Sequence, residues 1–281
     1  MPNVDTTDTT DTTPPKPQET LPLFSVQSGR ATIRLNRPAH LNRLHPEDVV
    51  ELSRLFGEIN RDLSIRVVVL TGTGRVFGAG YHLGALAETR QNIDTGTDTQ
   101  ASPYADSAFE LMCNALEDLR PPTICRLNGS VYGGATDLAL CCDFRIGLDT
   151  CEMFMPASRL GLHYYRRGIV RYASRLGVNA AKKLFLTGQT LKAPEMHRIG
   201  YLDEVVTADQ LDTAVIRLAA VLAAQAPLAV EGMKQSLNEF ARHEFDPDAA
   251  NARHASSLRS DDMLEGVTAW HEKRKPTFRG S

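Results

Sequence analysis

Twice along this chain a short, almost wholly apolar run leads into a glycine-bearing turn. Arg66-Val67-Val68-Val69-Leu70 precedes Phe77-Gly78-Ala79-Gly80-Tyr81-His82-Leu83. Thr123–Leu127 precedes Asn128-Gly129-Ser130-Val131-Tyr132-Gly133-Gly134-Ala135-Thr136-Asp137, which runs on into a helix-like segment. A nearly continuous apolar run suits a strand buried in a parallel sheet. The recurrence predicts an α/β chain in which strand, glycine turn and helix repeat. It also carries a chemical expectation. Backbone N–H groups fixed at a turn and at a helix N-terminus can hold negative charge developing on a carbonyl oxygen. Glycine lets the backbone approach a ligand closely.

Around this pattern, other elements follow from local signals. Leu23-Phe24-Ser25-Val26 and Ala31-Thr32-Ile33-Arg34-Leu35 flank Ser28-Gly29 and read as a hairpin. Pro46 opens a helix with apolar positions at Val49, Leu52, Phe56 and Ile59. Tyr104, Ala108, Leu111, Ala115 and Leu119 mark another, which Pro121-Pro122 ends. Residues 143–147 give a further short strand, and Asp143 is expected to cap that strand region. Short helices are expected at about 179–187 and 194–199, each stopped by a glycine, Gly188 and Gly200. Ser260, followed by Asp261 and Asp262, makes an N-cap for the last helix.

Three regions result. Residues 1–20, with Asp-Thr-Thr repeated three times, lack the apolar content to order themselves and read as a disordered tail. Residues 21–206 form the strand-and-helix core, and residues 207–281 a helical C-terminal region. The polar, aperiodic segment 85–102 has the character of a binding loop.

Several function classes are disfavoured. The net charge of −3, with both signs mixed along the chain, offers no general attraction to nucleic acid or to an anionic membrane. The most apolar stretch, residues 214–230, is interrupted by Arg217, Gln225 and Pro227 and is not expected to span a bilayer. Five cysteines, odd in number and without paired spacing, suggest no metal site and fit a reducing cytoplasm. The N-terminus has no signal-peptide pattern. Gly72-Thr73-Gly74-Arg75-Val76-Phe77-Gly78 is no dinucleotide loop, because Phe77 stands where the third glycine should and no helix opens there.

Residues 21–278 resemble the enoyl-CoA hydratase/isomerase (crotonase) family. The resemblance is carried in order by Ile33-Arg34-Leu35-Asn36-Arg37-Pro38, Val67-Val68-Val69-Leu70-Thr71-Gly72, the two glycine stretches, Leu184-Phe185-Leu186-Thr187-Gly188, and Glu272-Lys273-Arg274-Lys275-Pro276-Thr277-Phe278. It implies a crotonase-like α/β spiral of β-β-α turns with a C-terminal helical trimerisation region, assembled as a homotrimer or a homohexamer. It implies an acyl-CoA thioester substrate and no cofactor beyond the coenzyme A that the substrate carries. By position, the oxyanion donors are the N–H groups of Tyr81 and Gly134. Coenzyme A contacts are implied near Arg37 and Arg43, and from Lys273, Lys275 and Phe278 of a C-terminal helix, in the same or a neighbouring subunit.

The chain departs from the family where protons are moved. Hydratases of this family carry two glutamates. Here the first is replaced by Asp137, one methylene shorter, and the second by Ala157, which transfers no proton. Tyr164, in His163-Tyr164-Tyr165-Arg166-Arg167, is placed like a tyrosine of the methylmalonyl-CoA decarboxylase branch. It is a candidate to orient a leaving carboxylate, with His163, Arg166 or Arg167 as electrostatic helpers, and His82 is a candidate to reach the acyl pocket. Structural readings stand beside these: pocket lining for Tyr164 and Tyr165, a solvated helix face for Arg166 and Arg167, and a rim position for His82. The expected chemistry is isomerisation using Asp137 or decarboxylation aided by Tyr164. The alternatives are hydration with Asp137 activating water and a coenzyme A-binding protein without catalysis.

Overall fold

The computed structural model describes residues 20–82, 84 and 107–281. The expected tail (except residue 20), the expected binding loop 85–102 and Tyr104 lie outside the described residues. The chain opens with β1 (Leu23–Gln27) and β2 (Arg30–Leu35), paired antiparallel with Gln27 opposite Arg30. Ser28 and Gly29 both take positive φ, 49° and 75°, as a two-residue hairpin turn requires. Helix α1 (Pro46–Arg61) follows and buries Val49, Leu52, Leu55, Phe56 and Ile59 on one face. Each such side chain contributes about 1.5–3 kcal/mol relative to exposure.

Three turns of a spiral come next. In each, one strand enters a large sheet, a shorter strand enters a second sheet, and a helix follows. The first comprises β3 (Val67–Gly72), β4 (Val76–Gly78) and α2 (Ala108–Glu117). The second is β5 (Thr123–Leu127), β6 (Ser130–Tyr132) and α3 (Gly134–Cys141). The third is β7 (Phe144–Leu148), β8 (Glu152–Phe154) and, after a 3-10 turn at Ala157–Leu160, α4 (Arg166–Leu176). Helix α5 (Val178–Thr187), β9 (Leu191–Lys192), α6 (Ala193–Arg198) and β10 (Glu204–Val206) complete the core. The large sheet has the order β1-β2-β3-β5-β7-β10, parallel from β2 onward, and the small one β4-β6-β8-β9. This is the α/β spiral of β-β-α turns that the resemblance implies.

Strand β3 shows why its residues are apolar throughout. Val68 and Leu70 face the main core, while Val67 and Val69 face a second cluster with Leu211, Ala214, Val215 and Ala219. Those last residues belong to α7 (Leu211–Ala223), which covers the other side of the sheet. Helices α8 (Pro227–Ala241), α9 (Pro247–Leu258) and α10 (Asp261–Glu272) extend the helical C-terminal region. Ser260 caps α10 as expected, its hydroxyl accepting from Met263 N at 3.1 Å. Among the described residues no single helix is long and apolar enough to cross a membrane.

One sequence expectation is corrected here. Helix α2 buries Phe109, Met112, Cys113 and Leu116, not the face marked by Ala108 and Leu111, and Leu111 is 54% exposed. The buried face also holds Asn114 and Glu117, whose polarity hides its helical period. Asp143 staples β5 to β7: its Oδ2 accepts from Thr123 N and Oγ1 at 2.7 and 2.9 Å and pairs with Lys234 Nζ at 2.7 Å.

Candidate active site

Two turns of the spiral meet beyond β4 and β6, which pair in parallel. On the first, Gly80 O accepts from Leu44 N (2.8 Å) and His82 N donates to Leu44 O (2.9 Å). In this pairing the peptide of the residue between them alternates to the other side, so the Tyr81 N–H points away from the 41–45 segment. On the second, Gly133 N donates to Phe154 O (3.0 Å), and α3 starts at Gly134. As the first residue of that helix, Gly134 has an N–H without an intrahelical acceptor, at the positive end of the helix dipole.

Gly80 and Gly133 have φ of +95° and +53°, values that a residue with a Cβ rarely takes. Close approach adds a second constraint. A Cβ on Gly80 would lie 3.0 Å from Gly134 N. A Cβ on Gly134 would lie 3.5 Å from Tyr81 N and 3.0 Å from Phe109 Cζ. The two N–H groups therefore flank a small space with the Phe109 ring at its edge. Such a pair can hold charge developing on one oxygen atom.

Beside this space, Asp137 stands in the first turn of α3 and is fully buried. Its Oδ1 accepts from Arg171 Nη1 at 2.9 Å. Its Oδ2 accepts from the Tyr164 hydroxyl at 3.1 Å and also from the Tyr165 hydroxyl. Both oxygens are thus committed. Burial, and then the Asp137 carboxylate, push both phenols well above the ordinary tyrosine range, so each stays a donor. Arg171, itself buried, reaches onward from Nε to Glu117 Oε1 at 3.0 Å and from Nη2 to Asn114 Oδ1 at 3.0 Å. Burial alone would raise the Glu117 carboxyl, but Arg171, Arg175 and Arg242 outweigh it and hold the pKa at about 2.

The two adjacent tyrosines differ in placement. Tyr164 is buried, stacked on Tyr165 with ring centroids 4.5 Å apart and packed against Tyr172 and Phe185. Tyr165 is half-buried and meets Phe109 edge-on at 6.3 Å, and Phe109 in turn lies 5.5 Å from the Tyr81 ring. A line of rings thus runs from Tyr81 to Tyr165. Sequence reasoning singled out Tyr164, and nothing in a Tyr-Tyr pair tells which ring turns toward Phe109. Ala157 is buried in the 3-10 turn and brings only a methyl group.

The remaining candidates are scattered. His82 stacks obliquely on His45, with centroids 4.7 Å apart, next to Tyr81 in the chain. Burial, then Arg37, keep the His45 imidazole below its ordinary pKa. Arg37 is engaged by Asp48 (2.8 Å) and Glu47 (2.9 Å) at the start of α1. Arg43 is half-buried and has no salt bridge among the described residues, and its buried Nε lacks a hydrogen-bond partner. His163 is exposed, with Nδ1 2.7 Å from Tyr164 O. Arg166 is solvated as expected, but Arg167 pairs with Asp118 (3.2 Å) and Glu117 (3.6 Å).

Lys273 and Lys275 are exposed after α10, where Asp262 folds the tail back by accepting from Arg279 N and Gly280 N. Phe278 O accepts from Arg66 Nη2 at 3.5 Å. Arg66 precedes β3, whereas Tyr81 lies beyond that strand's far end. Six strand residues span about 20 Å. One chain therefore does not bring Lys273, Lys275 and Phe278 together with Tyr81 and Gly134.

A model of the enoyl-CoA hydratase/isomerase family matches residues 25–281. The chain is 32% identical over 261 residues to the 1,2-epoxyphenylacetyl-CoA isomerase of Escherichia coli strain K12, covering 92% of this chain and 98% of the relative. It is 30% identical over 248 residues to the short-chain-enoyl-CoA hydratase of Clostridium acetobutylicum, covering 87% and 92%. The crystal structure of enoyl-CoA hydratase from Bacillus anthracis superposes with a TM-score of 0.80 at 27% identity, covering 93% of this chain and all of the other.

Proposed function

The chain belongs to the enoyl-CoA hydratase/isomerase family and is an enzyme of that family acting on a coenzyme A thioester; from this premise we propose that it works through a thioester enolate whose oxygen is held by the N–H groups of Tyr81 and Gly134. The observation that carries this reading is the convergence of those two backbone donors beside Phe109. Backbone donors of this kind contribute on the order of 3–4 kcal/mol each to a transition state.

For the step that makes the enolate, the proposal favours decarboxylation of an acyl-CoA carrying a carboxylate on Cα. Hydration needs a base for water and isomerisation a base for a C–H. Asp137, beside the pocket, has both oxygens occupied by Arg171, Tyr164 and Tyr165 among the described residues, and Ala157 supplies no second acid. Decarboxylation needs neither. The bond from Cα to the carboxylate breaks, its electron pair enters the enolate, and carbon dioxide leaves. Tyr165 then turns its phenolic proton from Asp137 to Cα and regains one from water, whose hydroxide combines with the carbon dioxide as bicarbonate. Hydration is the second reading, favoured by relatives named as hydratases.

Arg43 is proposed to meet a coenzyme A phosphate by charge-assisted hydrogen bonds. Lys273, Lys275 and Phe278 would serve the site of a neighbouring subunit in a homotrimer or homohexamer. Exposed apolar side chains on the C-terminal helices, including Leu237, Phe240, Leu264 and Trp270, support such an assembly. The five free thiols accord with a reducing cytoplasm.

A panel of crotonyl-CoA, a 3-enoyl-CoA, malonyl-CoA and methylmalonyl-CoA tests the reading. Release of carbon dioxide from a malonyl-type thioester is expected, falling about 10²-fold in Tyr165→Phe. Robust crotonyl-CoA hydration that disappears in Asp137→Asn would overturn the decarboxylase reading and establish the second one.

A further inference from the structure

Buried charge extends well past the pocket. Glu117, the last residue of α2, is buried and faces four guanidinium groups: Arg171 at 3.0 Å, Arg175 at 3.2 Å, Arg242 at 3.5 Å and Arg167 at 3.6 Å. Arg171 is shared. Its Nε and Nη2 serve Glu117, and its Nη1 serves Asp137. A guanidinium is a rigid planar fork, so a carboxylate gripping one edge sets the direction of the edge offered to the other. Asp137 then accepts the Tyr165 hydroxyl. The other titratable groups near that phenol are Cys113 on α2, the adjacent Tyr164, and Arg171 itself.

At its outer end the series reaches the C-terminal region. Arg242 ends α8, which is fastened to the core by Lys234 on Asp143 and by Asn238 Nδ2 on Glu117 O at 3.0 Å. Polar contacts therefore run without a break from α8 to the Tyr165 hydroxyl.

We infer that Glu117 is a positioning residue for the pocket: through Arg171 it orients Asp137, and thereby the Tyr165 phenol, with Arg242 bringing α8 into the same support. The effect on turnover rests on the enolate reading above; the effect on the phenol does not. Neither Glu117 nor Arg242 touches the reacting atoms, so both act by placement. A displacement of about 1 Å in such support is enough to slow a reaction about 10²-fold.

The test uses the full chain with isotopically labelled tyrosine, following the Cζ resonance of Tyr165, assigned by its absence in Tyr165→Phe. That resonance reports the hydrogen bond to Asp137 without substrate. In Glu117→Gln it is expected to shift, while that of Tyr132, bonded to Glu152 elsewhere, stays in place. For the thioester turned over fastest, kcat is expected to fall about tenfold with KM within about twofold, and Glu117→Asp is expected to restore both readouts. An unmoved resonance with unchanged kcat overturns the inference. Should Glu117→Gln not fold, Arg242→Gln takes its place. A smaller shift in the same sense, with kcat down about threefold, supports the inference; no change in either overturns it. A shifted resonance in a protein that turns over no thioester of the panel upholds the positioning role and sinks the enolate reading alone.

Discussion

Gly134→Ala keeps its backbone N–H but is expected to lower kcat on the preferred thioester by about 10²-fold, the loss that follows a misplacement of about 1 Å. The new methyl would stand 3.5 Å from Tyr81 N, inside the space proposed for the thioester oxygen, and 3.0 Å from Phe109 Cζ. The backbone is not the obstacle. Gly134 opens α3, where alanine gains part of the roughly 1 kcal/mol that it holds over glycine in a helix interior. That gain offsets much of the crowding against the Phe109 ring edge, so the thermal midpoint is expected to move little. Steady-state kinetics beside a melting curve separate the two effects. Retention of wild-type kcat in a folded Gly134→Ala protein would show that the methyl group does not enter the space of the reacting oxygen.

Arg171→Met is expected to cost roughly 3–5 kcal/mol of folding stability, because it leaves the Asp137 and Glu117 carboxylates buried without the guanidinium between them. Urea unfolding at neutral pH measures the loss, and a cost below about 1 kcal/mol would mean that water or a rearranged arginine replaces the fork. The same cluster gives a pH signature with a definite sign. The Glu117 pKa is lowered from 4.5 to about 2. Its stabilising contribution is therefore complete above pH 4.5 and lost as pH falls toward 2. A shift of that size corresponds to about 3 kcal/mol. Glu117→Gln is expected to flatten the fall in stability across that acid window, and an unchanged slope would assign the acid sensitivity to other carboxylates.

Much of the fold was legible because its signals are local. Pro46 and Ser260 announce helix starts, Ser28-Gly29 a two-residue turn, and the valine run of β3 a strand covered on both sides. The backbone half of the candidate site was legible for the same reason, since glycine at 80, 133 and 134 reports a backbone requirement directly. The rest depends on partners distant in sequence. Arg171 is one of four arginines within ten residues, and only its contacts with Asn114, Glu117 and Asp137 distinguish it from a solvated neighbour. The buried face of α2 was missed because Asn114 and Glu117, placed inside to meet that arginine, break the apolar period. Strands β4, β6 and β8 are three residues long, too short for any alternation to show.

The two donors lie just past the β4–β6 pairing, Tyr81 three residues beyond β4 and Gly134 at the start of α3. Their placement is carried by backbone hydrogen bonds, of Gly80 and His82 to Leu44 and of Gly133 to Phe154. In the proposed mechanism the clamp on the oxygen is encoded in the winding of the backbone. The residues that decide where a proton goes are appended to it as replaceable parts. Exchange of an acid for Ala157, or recruitment of a phenol at Tyr165, can redirect the reaction while the clamp keeps its span.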